Sequence, residues 1–152
     1  MLTIRLVTQI NAPVERCFDL ARSVDAHTSS TVRTRERAIG GVTTGLLACD
    51  DVVTWEAVHF GVRQRLTVRI TELDRPHRFV DELVRGAFRE LRHVHEFVER
   101  DGGTRMVDTF AFASPFGPAG RLVNALVLTR YMRAFLRERN TYLKRVAEAG
   151  HA

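Results

Sequence analysis

The chain has 152 residues, of which 45% are hydrophobic and 27% charged, with a formal net charge of +5. These proportions are those of ordinary globular proteins, and they exclude a disordered, collagen-like or low-complexity chain. A chain of this length fits one compact domain. We therefore expect residues 1–152 to form a single domain.

The positive charge comes almost entirely from arginine, since Lys144 is the single lysine. The arginines are scattered among 18 acidic residues, and the basic residues form no run. Binding to nucleic acid requires basic residues that cluster on one face or along one segment. We therefore expect no nucleic-acid partner.

Several features indicate a soluble protein of a reducing compartment. The N-terminal segment alternates apolar and polar residues and shows no signal-peptide pattern. The longest nearly apolar run, Leu122 to Leu128, is far shorter than the roughly 20 residues of a membrane span. Two cysteines, Cys17 and Cys49, have neither metal-site spacing nor the number needed for a disulfide framework. We expect a cytoplasmic protein without an integral membrane segment.

The first elements alternate between strand and helix patterns. Residues 2–10 have apolar residues at every second position and predict a strand. Pro13 then opens a short helix that ends near 21–23. Residues 24–30 predict either a second short helix or a loop, and residues 31–39 predict a charged strand closed by two glycines.

Five more strands follow, separated by turn residues. A hairpin turn is predicted at Arg100-Asp101-Gly102-Gly103. The strands are predicted at 51–61, 63–72, 79–88, 89–99 and 104–113.

A long helix closes the chain, with Pro118 near its start and Glu148 near its end. Its apolar residues form one stripe, interrupted by Arg139 between Phe135 and Leu143. An unpaired guanidinium in such a stripe is costly, so Arg139 either extends to solvent at the helix end or pairs with a carboxylate such as Asp81 or Asp108. The order of elements predicts an α+β fold in which a curved antiparallel sheet of about seven strands wraps around a long C-terminal helix, with two short helices after strand 1.

This order resembles the helix-grip fold of the START-like (SRPBCC) superfamily, which includes polyketide cyclases/dehydrases and lipid-transport-like proteins. The resemblance covers essentially the whole chain. It implies a deep, mainly apolar cavity between helix and sheet for a lipid, polyketide, quinone or similar molecule, but it implies no single reaction. The segments that carry it are INAPVERCFDLARSVDAH, ACDDVVTWEAVHFG, LDRPHRFVDE, RHVHEF, GGTRMVDTFAF and PFGPAGRLVNALVL.

Strand alternation predicts which side chains face this cavity. In 89–99, His93 and His95 share the apolar face, while the opposite face carries Glu90, Arg92, Val94, Glu96 and Val98. The same rule turns inward Val53, Trp55, Ala57 and His59 in one strand, Phe79, Asp81 and Leu83 in another, and Met106, Asp108, Phe110 and Phe112 in the last.

A group of polar residues is thereby predicted inside an apolar surface: His59, Asp81, His93, His95 and Asp108. One interpretation is a hydrogen-bond network that serves the fold alone. A second is that the group orients a carbonyl or hydroxyl of a ligand. A third is acid/base catalysis, with His93 or His95 as a base oriented by Asp108. The His93-x-His95 spacing also suits a metal ion, but two ligands are a weak signal, and we expect neither a metal nor a cofactor.

The favoured hypothesis is a binding or carrier protein for an apolar small molecule. A cyclase or dehydratase-like enzyme is the first alternative, and a protein-interaction module or homodimer is the second. In that second alternative the contact would be the apolar start of the long helix, Leu122, Val123, Leu126 and Val127. The predicted ligand-binding residues are Trp55, His59, Asp81, Leu83, His93, His95, Met106, Asp108, Phe110, Met132, Phe135 and Arg139.

Overall fold

The computed structural model describes residues 1–114 and 121–150. Within the second range, only the backbone of residues 121–124 is described. Its elements are β1 (Leu2–Ile10), α1 (Val14–Ala21), α2 (Val24–Ser30), β2 (Arg37–Gly41), β3 (Val52–His59), β4 (Val62–Asp74), β5 (Arg78–Gly86), β6 (Glu90–Arg100), β7 (Gly103–Ala113) and α3 (Arg121–Ala149). The α+β architecture predicted from the sequence is confirmed. The predicted helix start at Pro118 lies outside the described residues.

The seven strands form one antiparallel sheet in the order β1-β7-β6-β5-β4-β3-β2. Strands β2 to β7 follow one another as a meander, and β1 returns to pair with β7 along its whole length. Asp101 and Gly102 both have positive φ angles, 54° and 75°, as a tight hairpin between β6 and β7 requires. The predicted turn at this position is confirmed.

Helix α3 lies along the sheet and contacts β1, α1 and α2. Its apolar stripe is turned inward, with Met132, Leu136 and Leu143 buried. Arg16 of α1 donates hydrogen bonds to the carbonyl oxygens of Val146 and Ala147, which lie near the end of α3. These bonds satisfy carbonyl groups that a helix end leaves without an intrahelical partner. No described helix is long and apolar enough to cross a membrane.

The core is densest where α1 meets the sheet. Phe18 of α1 is fully buried and makes edge-to-face ring contacts with Phe79 and Phe97, at centroid distances of 5.4 and 5.3 Å. Ile4 and Ile10 of β1 are buried beside them in the same core. This packing anchors α1 against β6 and β7.

Two local predictions are wrong. Residues 31–34 are not part of a strand, because the hydroxyls of Thr31 and Thr34 bond to nearby backbone carbonyls and Val32–Thr34 forms a 3-10 turn. The strand β2 therefore begins only at Arg37. Val94, which alternation assigns to solvent, is 7% exposed, because it lies opposite the fully buried Val80 across the β5–β6 pair.

Candidate functional site

A cavity of about 400 Å³ lies between α3 and the sheet. It exists because the sheet curves around a single long helix, which cannot fill the whole concave face. The cavity reaches the surface at the β3–β4 turn and at the β5–β6 connection, where Phe60, Val62 and Ala87 line it and are exposed. Most of the wall is apolar, with Trp55, Val68, Phe110, Met132, Phe135 and Leu136 among its residues.

One part of the wall carries a cluster of ionisable and amide side chains. The polar cluster comprises Asp81, His93, His95, Asp108, Arg139 and Asn140. Sheet pairing assembles most of it, since Asp81 lies opposite His93 across β5 and β6, and His95 lies opposite Asp108 across β6 and β7. The other two members, Arg139 and Asn140, lie on helix α3. Four of them, Asp81, His93, His95 and Arg139, line the cavity.

Asp108 is the centre of the polar cluster. Its Oδ1 atom accepts a hydrogen bond from Nε2 of His93 at 2.9 Å, and its Oδ2 atom accepts one from Nδ2 of Asn140 at 2.8 Å. Nδ1 of His95 lies 3.1 Å from the same Oδ1 atom, an electrostatic contact without hydrogen-bond alignment. The side chain of Asp108 is 1% exposed, so these neighbours replace the water that a buried carboxylate loses.

His95 bridges the two carboxylates of the polar cluster. Its Nε2 atom lies 3.2 Å from Oδ2 of Asp81, while its other nitrogen faces Asp108. The ring is stacked on Phe79 at a centroid distance of 4.1 Å and lies 3.7 Å from the tilted ring of His93, and these two contacts fix its orientation. An imidazole between two carboxylates is favoured in its charged form.

Arg139 belongs to the interior and not to the surface. It is 4% exposed, its Nη2 atom donates to the carbonyl oxygen of Ala21 at 3.0 Å, and Nη1 lies 3.9 Å from Oδ1 of Asp108. The sequence left two positions open for Arg139, extension to solvent or pairing with a carboxylate. The structure shows the pairing, with Asp108. A second cation therefore stands beside Asp108, together with His95.

The pKa directions agree with these contacts. Burial raises the pKa of Asp108, but the hydrogen bond from His93 and the close contact with His95 outweigh burial and hold this pKa well below its usual range. The pKa of Asp81 is lowered, because its bond to His95 likewise outweighs burial. Burial and the neighbouring His95 lower the pKa of His93. Burial also opposes the charging of His95, but Asp108 and Asp81 together raise its pKa.

The polar cluster places groups of opposite charge side by side. Near neutral pH Asp81 and Asp108 are ionised and His93 is neutral. His95, whose pKa is raised, lies between the two carboxylates, and the guanidinium of Arg139 lies beside Asp108. Because a carboxylate can only accept, Nε2 of neutral His93 carries the proton that is donated to Asp108. The lone pair of His93 is therefore on Nδ1.

Three of these residues, Asp81, His93 and His95, each place one possible ligand atom within 4.8 Å of the others, so they are the described residues best placed to hold a metal ion. The sequence suggested Asp108 as the carboxylate partner of the two histidines, but Asp108 lies behind both rings. Metal binding would require His95 to lose the proton that its two carboxylates stabilise.

A second polar group lines the cavity nearer its opening. Nδ1 of His59 is hydrogen-bonded to the hydroxyl of Tyr131, and burial lowers the pKa of His59 and raises that of Tyr131. Nε2 of His27 lies 2.6 Å from Oε1 of Glu36, and the same imidazole lies 4.1 Å from the ring of Trp55. These pairs keep polar groups satisfied in a largely apolar wall.

The structure brings most of the predicted ligand-binding residues to the cavity. Three do not line it: Leu83 is partly buried against the core, Met106 is fully buried near Phe97, and Asp108 is covered by the two imidazoles. The predicted residues that line the cavity are Trp55, His59, Asp81, His93, His95, Phe110, Met132, Phe135 and Arg139.

Sequence reasoning missed several residues of the site. Asn140 could have been found, because it follows Leu136 by four positions and precedes Leu143 by three, which places it on the inner face of α3. His27 and Glu36 gave no such signal, since they lie in segments without a clear period. Their pairing depends on how α2 folds back towards β2.

Comparisons with known proteins agree with this architecture. A family model described as "Polyketide cyclase / dehydrase and lipid transport" matches residues 1–148. The comparison with curated proteins finds no significant match.

Solved structures show the same fold at low sequence identity. The protein TTHA0849 from Thermus thermophilus is 18% identical, with a TM-score of 0.81, and the match covers 99% of this chain and 100% of that one. The Aha1 dimer from Colwellia psychrerythraea is 11% identical, with a TM-score of 0.68 and full coverage of both chains. The di-domain ARO/CYC StfQ of the steffimycin biosynthetic pathway is 9% identical, with a TM-score of 0.77, over 97% of this chain and 50% of that chain.

Proposed function

Because the chain belongs to the polyketide cyclase/dehydrase and lipid transport family, we propose that it binds an apolar small molecule in the cavity between α3 and the sheet. The ligand lies with its apolar body against Trp55, Phe110, Met132 and Phe135, and its polar end meets Asp81 and His93. The description of the family covers both transport proteins and enzymes, so the choice between these two functions depends on the geometry of the site.

The observation that carries this proposal is the combination of a largely apolar cavity with one polar cluster in its wall. Small-molecule sites typically have apolar walls and a few convergent polar groups that fix orientation. The volume of about 400 Å³ is within the range of such sites. Four members of the polar cluster line the cavity, where they can meet a bound molecule.

Native mass spectrometry of the protein extracted from cells tests this proposal directly. We expect a bound small molecule to be recovered, and the variant Ala57→Phe to lose it, because Ala57 lines the cavity and a phenyl ring would occupy the space. The matched control is Ala134→Phe, an exposed position on α3. Repeated recovery of an empty cavity, with no thermal shift across lipids, quinones and polyketides, would contradict the proposal.

A cyclase or dehydratase activity is the second candidate, and the state of His93 favours it. The imidazole lines the cavity, its proton is held on Nε2 by Asp108, and its pKa is lowered, so Nδ1 is an unprotonated base at neutral pH. A base in this position can accept a proton from a carbonyl substrate. His93→Gln would then abolish turnover of a polyketide-type substrate; unchanged turnover would exclude this mechanism.

A further inference from the structure

Three hydrogen-bond acceptors of the polar cluster have no partner among the described residues. Asn140 Oδ1 is buried and does not reach the cavity. Asp81 uses Oδ2 for His95, and no described group donates to its Oδ1. His93 uses Nε2 for Asp108, and no described group donates to its Nδ1. Asp81 and His93 both line the cavity. A ligand at this position therefore meets acceptors, and it can satisfy them only by donating.

Exposure separates Asp81 from the rest of the polar cluster. Its side chain is 20% exposed, against 8% for His93, 5% for Arg139 and 1% for each of His95 and Asp108. Because Asp81 lines the cavity, this exposed surface is available to a ligand. The most accessible polar group of the cluster is thus an ionised carboxylate.

Arg139 offers the opposite chemistry, but it is less accessible. Its Nε and Nη1 atoms are buried without a hydrogen-bond partner, and Nη1 faces Asp108 at 3.9 Å. Nη2 is taken by the carbonyl oxygen of Ala21. The guanidinium therefore compensates the charge of Asp108 from behind, and a ligand carboxylate would meet Asp81 before it could reach Arg139.

The charged groups already present in the polar cluster favour a ligand with a neutral hydrogen-bond donor over one with a cationic donor. Asp81 already lies 3.2 Å from His95, and Asp108 already faces both His95 and Arg139, so a ligand ammonium would bring a further charge into an apolar cavity. A ligand carboxylate would do the same with the opposite sign. A hydroxyl donates one hydrogen bond and adds no charge.

Resting on the proposed function, we propose that the cavity selects molecules whose polar end is a neutral hydroxyl, an alcohol or phenol, that donates its one hydrogen bond to Oδ1 of Asp81, beside His93. The apolar body of such a molecule lies against the aromatic and aliphatic wall. Fatty acids and other free carboxylates are excluded from this position.

Four fluorescent probes of one ring system test the selectivity: pyrene, 1-hydroxypyrene, 1-pyrenecarboxylate and 1-(aminomethyl)pyrene. We expect 1-hydroxypyrene to bind about tenfold more tightly than pyrene, the gain of one hydrogen bond to a charged acceptor. Pyrenecarboxylate and the amine should both bind more weakly than pyrene. Dissociation constants are measured by fluorescence titration at neutral pH and constant salt.

Two variants assign the effect to Asp81. Asp81→Asn keeps the shape and removes the charge, so the preference for hydroxypyrene over pyrene should fall to about threefold or less, and the carboxylate should gain affinity. The matched control is Asp101→Asn in the exposed β6–β7 turn, which should change nothing. If Asp81→Asn does not fold, the comparison of the four probes on the native protein decides alone.

The outcomes separate this inference from the proposed function. Equal binding of all four probes would overturn the selectivity and leave the binding function standing. Tightest binding of the carboxylate would overturn it in favour of recognition by Arg139, and tightest binding of the amine would overturn the requirement for neutrality. Binding of none of the four would overturn the proposed function and this inference together.

Discussion

A single buried carboxylate, Asp108, organises the chemistry of the cavity wall. It accepts a hydrogen bond from an imidazole and another from an amide, and it faces two cations at 3.1 and 3.9 Å. Neighbours of this kind are necessary because an isolated charge in the interior is very costly. The same contacts determine which nitrogen of His93 carries its proton.

We predict that Asp108→Ala lowers the free energy of unfolding by about 3–5 kcal/mol, because Arg139 and His95 would remain buried without this partner. Urea denaturation at neutral pH measures the change. Asp101→Ala, in an exposed turn, should stay within about 0.5 kcal/mol of the native protein. A loss below about 1 kcal/mol for Asp108→Ala would show that the polar cluster relaxes around the missing carboxylate.

We predict that the two adjacent histidines titrate on opposite sides of the ordinary histidine pKa of about 6.5. His95 should titrate above it and His93 below it, following the directions that their neighbours impose. Nuclear magnetic resonance of the imidazole Cε1 protons, assigned with His93→Gln, measures both. Titration of both rings at about 6.5 would mean that water reaches the polar cluster.

These directions fix the sign of the pH dependence of stability. The raised pKa of His95 stabilises the fold fully below about 6.5, and this contribution is lost as the pH rises through the higher pKa of the folded state. The lowered pKa of His93 has the opposite effect. Its contribution to stability is fully present above about 6.5, and it is lost as the pH falls from there through the lower pKa of the folded state. The lowered pKa of Asp108 stabilises the fold at neutral pH, and this contribution is lost as the pH falls through the pKa of Asp108 in the folded state.

At the scale of elements, α2 depends on its first residues. Its N-cap Ser23 accepts a hydrogen bond from the backbone N–H of Ala26 at 3.1 Å. A helix of seven residues has little stability of its own, so it relies on capping and on packing. Ser23 and His27 also line the cavity, which couples the order of α2 to the site.

We predict that Ser23→Ala lowers the free energy of unfolding by about 1 kcal/mol, the usual cost of losing a serine cap. Ser29→Ala is the matched control, because Ser29 is exposed within the same helix and alanine is the better helix former. Thermal or urea unfolding of the two variants gives the comparison. An equal effect of both substitutions would show that the cap contributes nothing.

Elements with a regular spacing of apolar residues could be predicted from the sequence. The prediction failed where side-chain hydrogen bonds to nearby backbone groups override that spacing. The alternation along β6 correctly placed His93 and His95 inside, because one face of that strand is apolar. The same reasoning failed at residues 31–34, where threonine hydroxyls bond to nearby carbonyls and favour a turn. It also missed the bond between His59 and Tyr131, which depends on the position of α3 over the sheet.

At the scale of the whole molecule, one helix on a strongly curved sheet leaves a space that its own side chains do not fill. The core around Phe18 and Phe97 closes one part of the concave face, and the cavity occupies another. Around its opening the surface is apolar, since Phe60, Val62 and Val127 are all more than half exposed. Phe60 packs on Tyr131 at 4.4 Å, and Val127 lies one helical turn before Tyr131.

This apolar rim gives the final prediction. If apolar ligands enter across it, Val127→Asp should slow the association of pyrene severalfold in stopped-flow fluorescence, because a carboxylate on the rim holds water where the ligand must pass. Val98→Asp is the matched control, since Val98 on β6 is exposed to nearly the same extent, 55% against 53%. The sequence predicted a second use for this face, a contact between two copies of the chain, and Leu122 and Val123 of that set lie outside the described side chains. Sedimentation of the same two variants distinguishes the uses: loss of a dimer by Val127→Asp with an unchanged association rate would make the rim a contact between subunits and not an entrance.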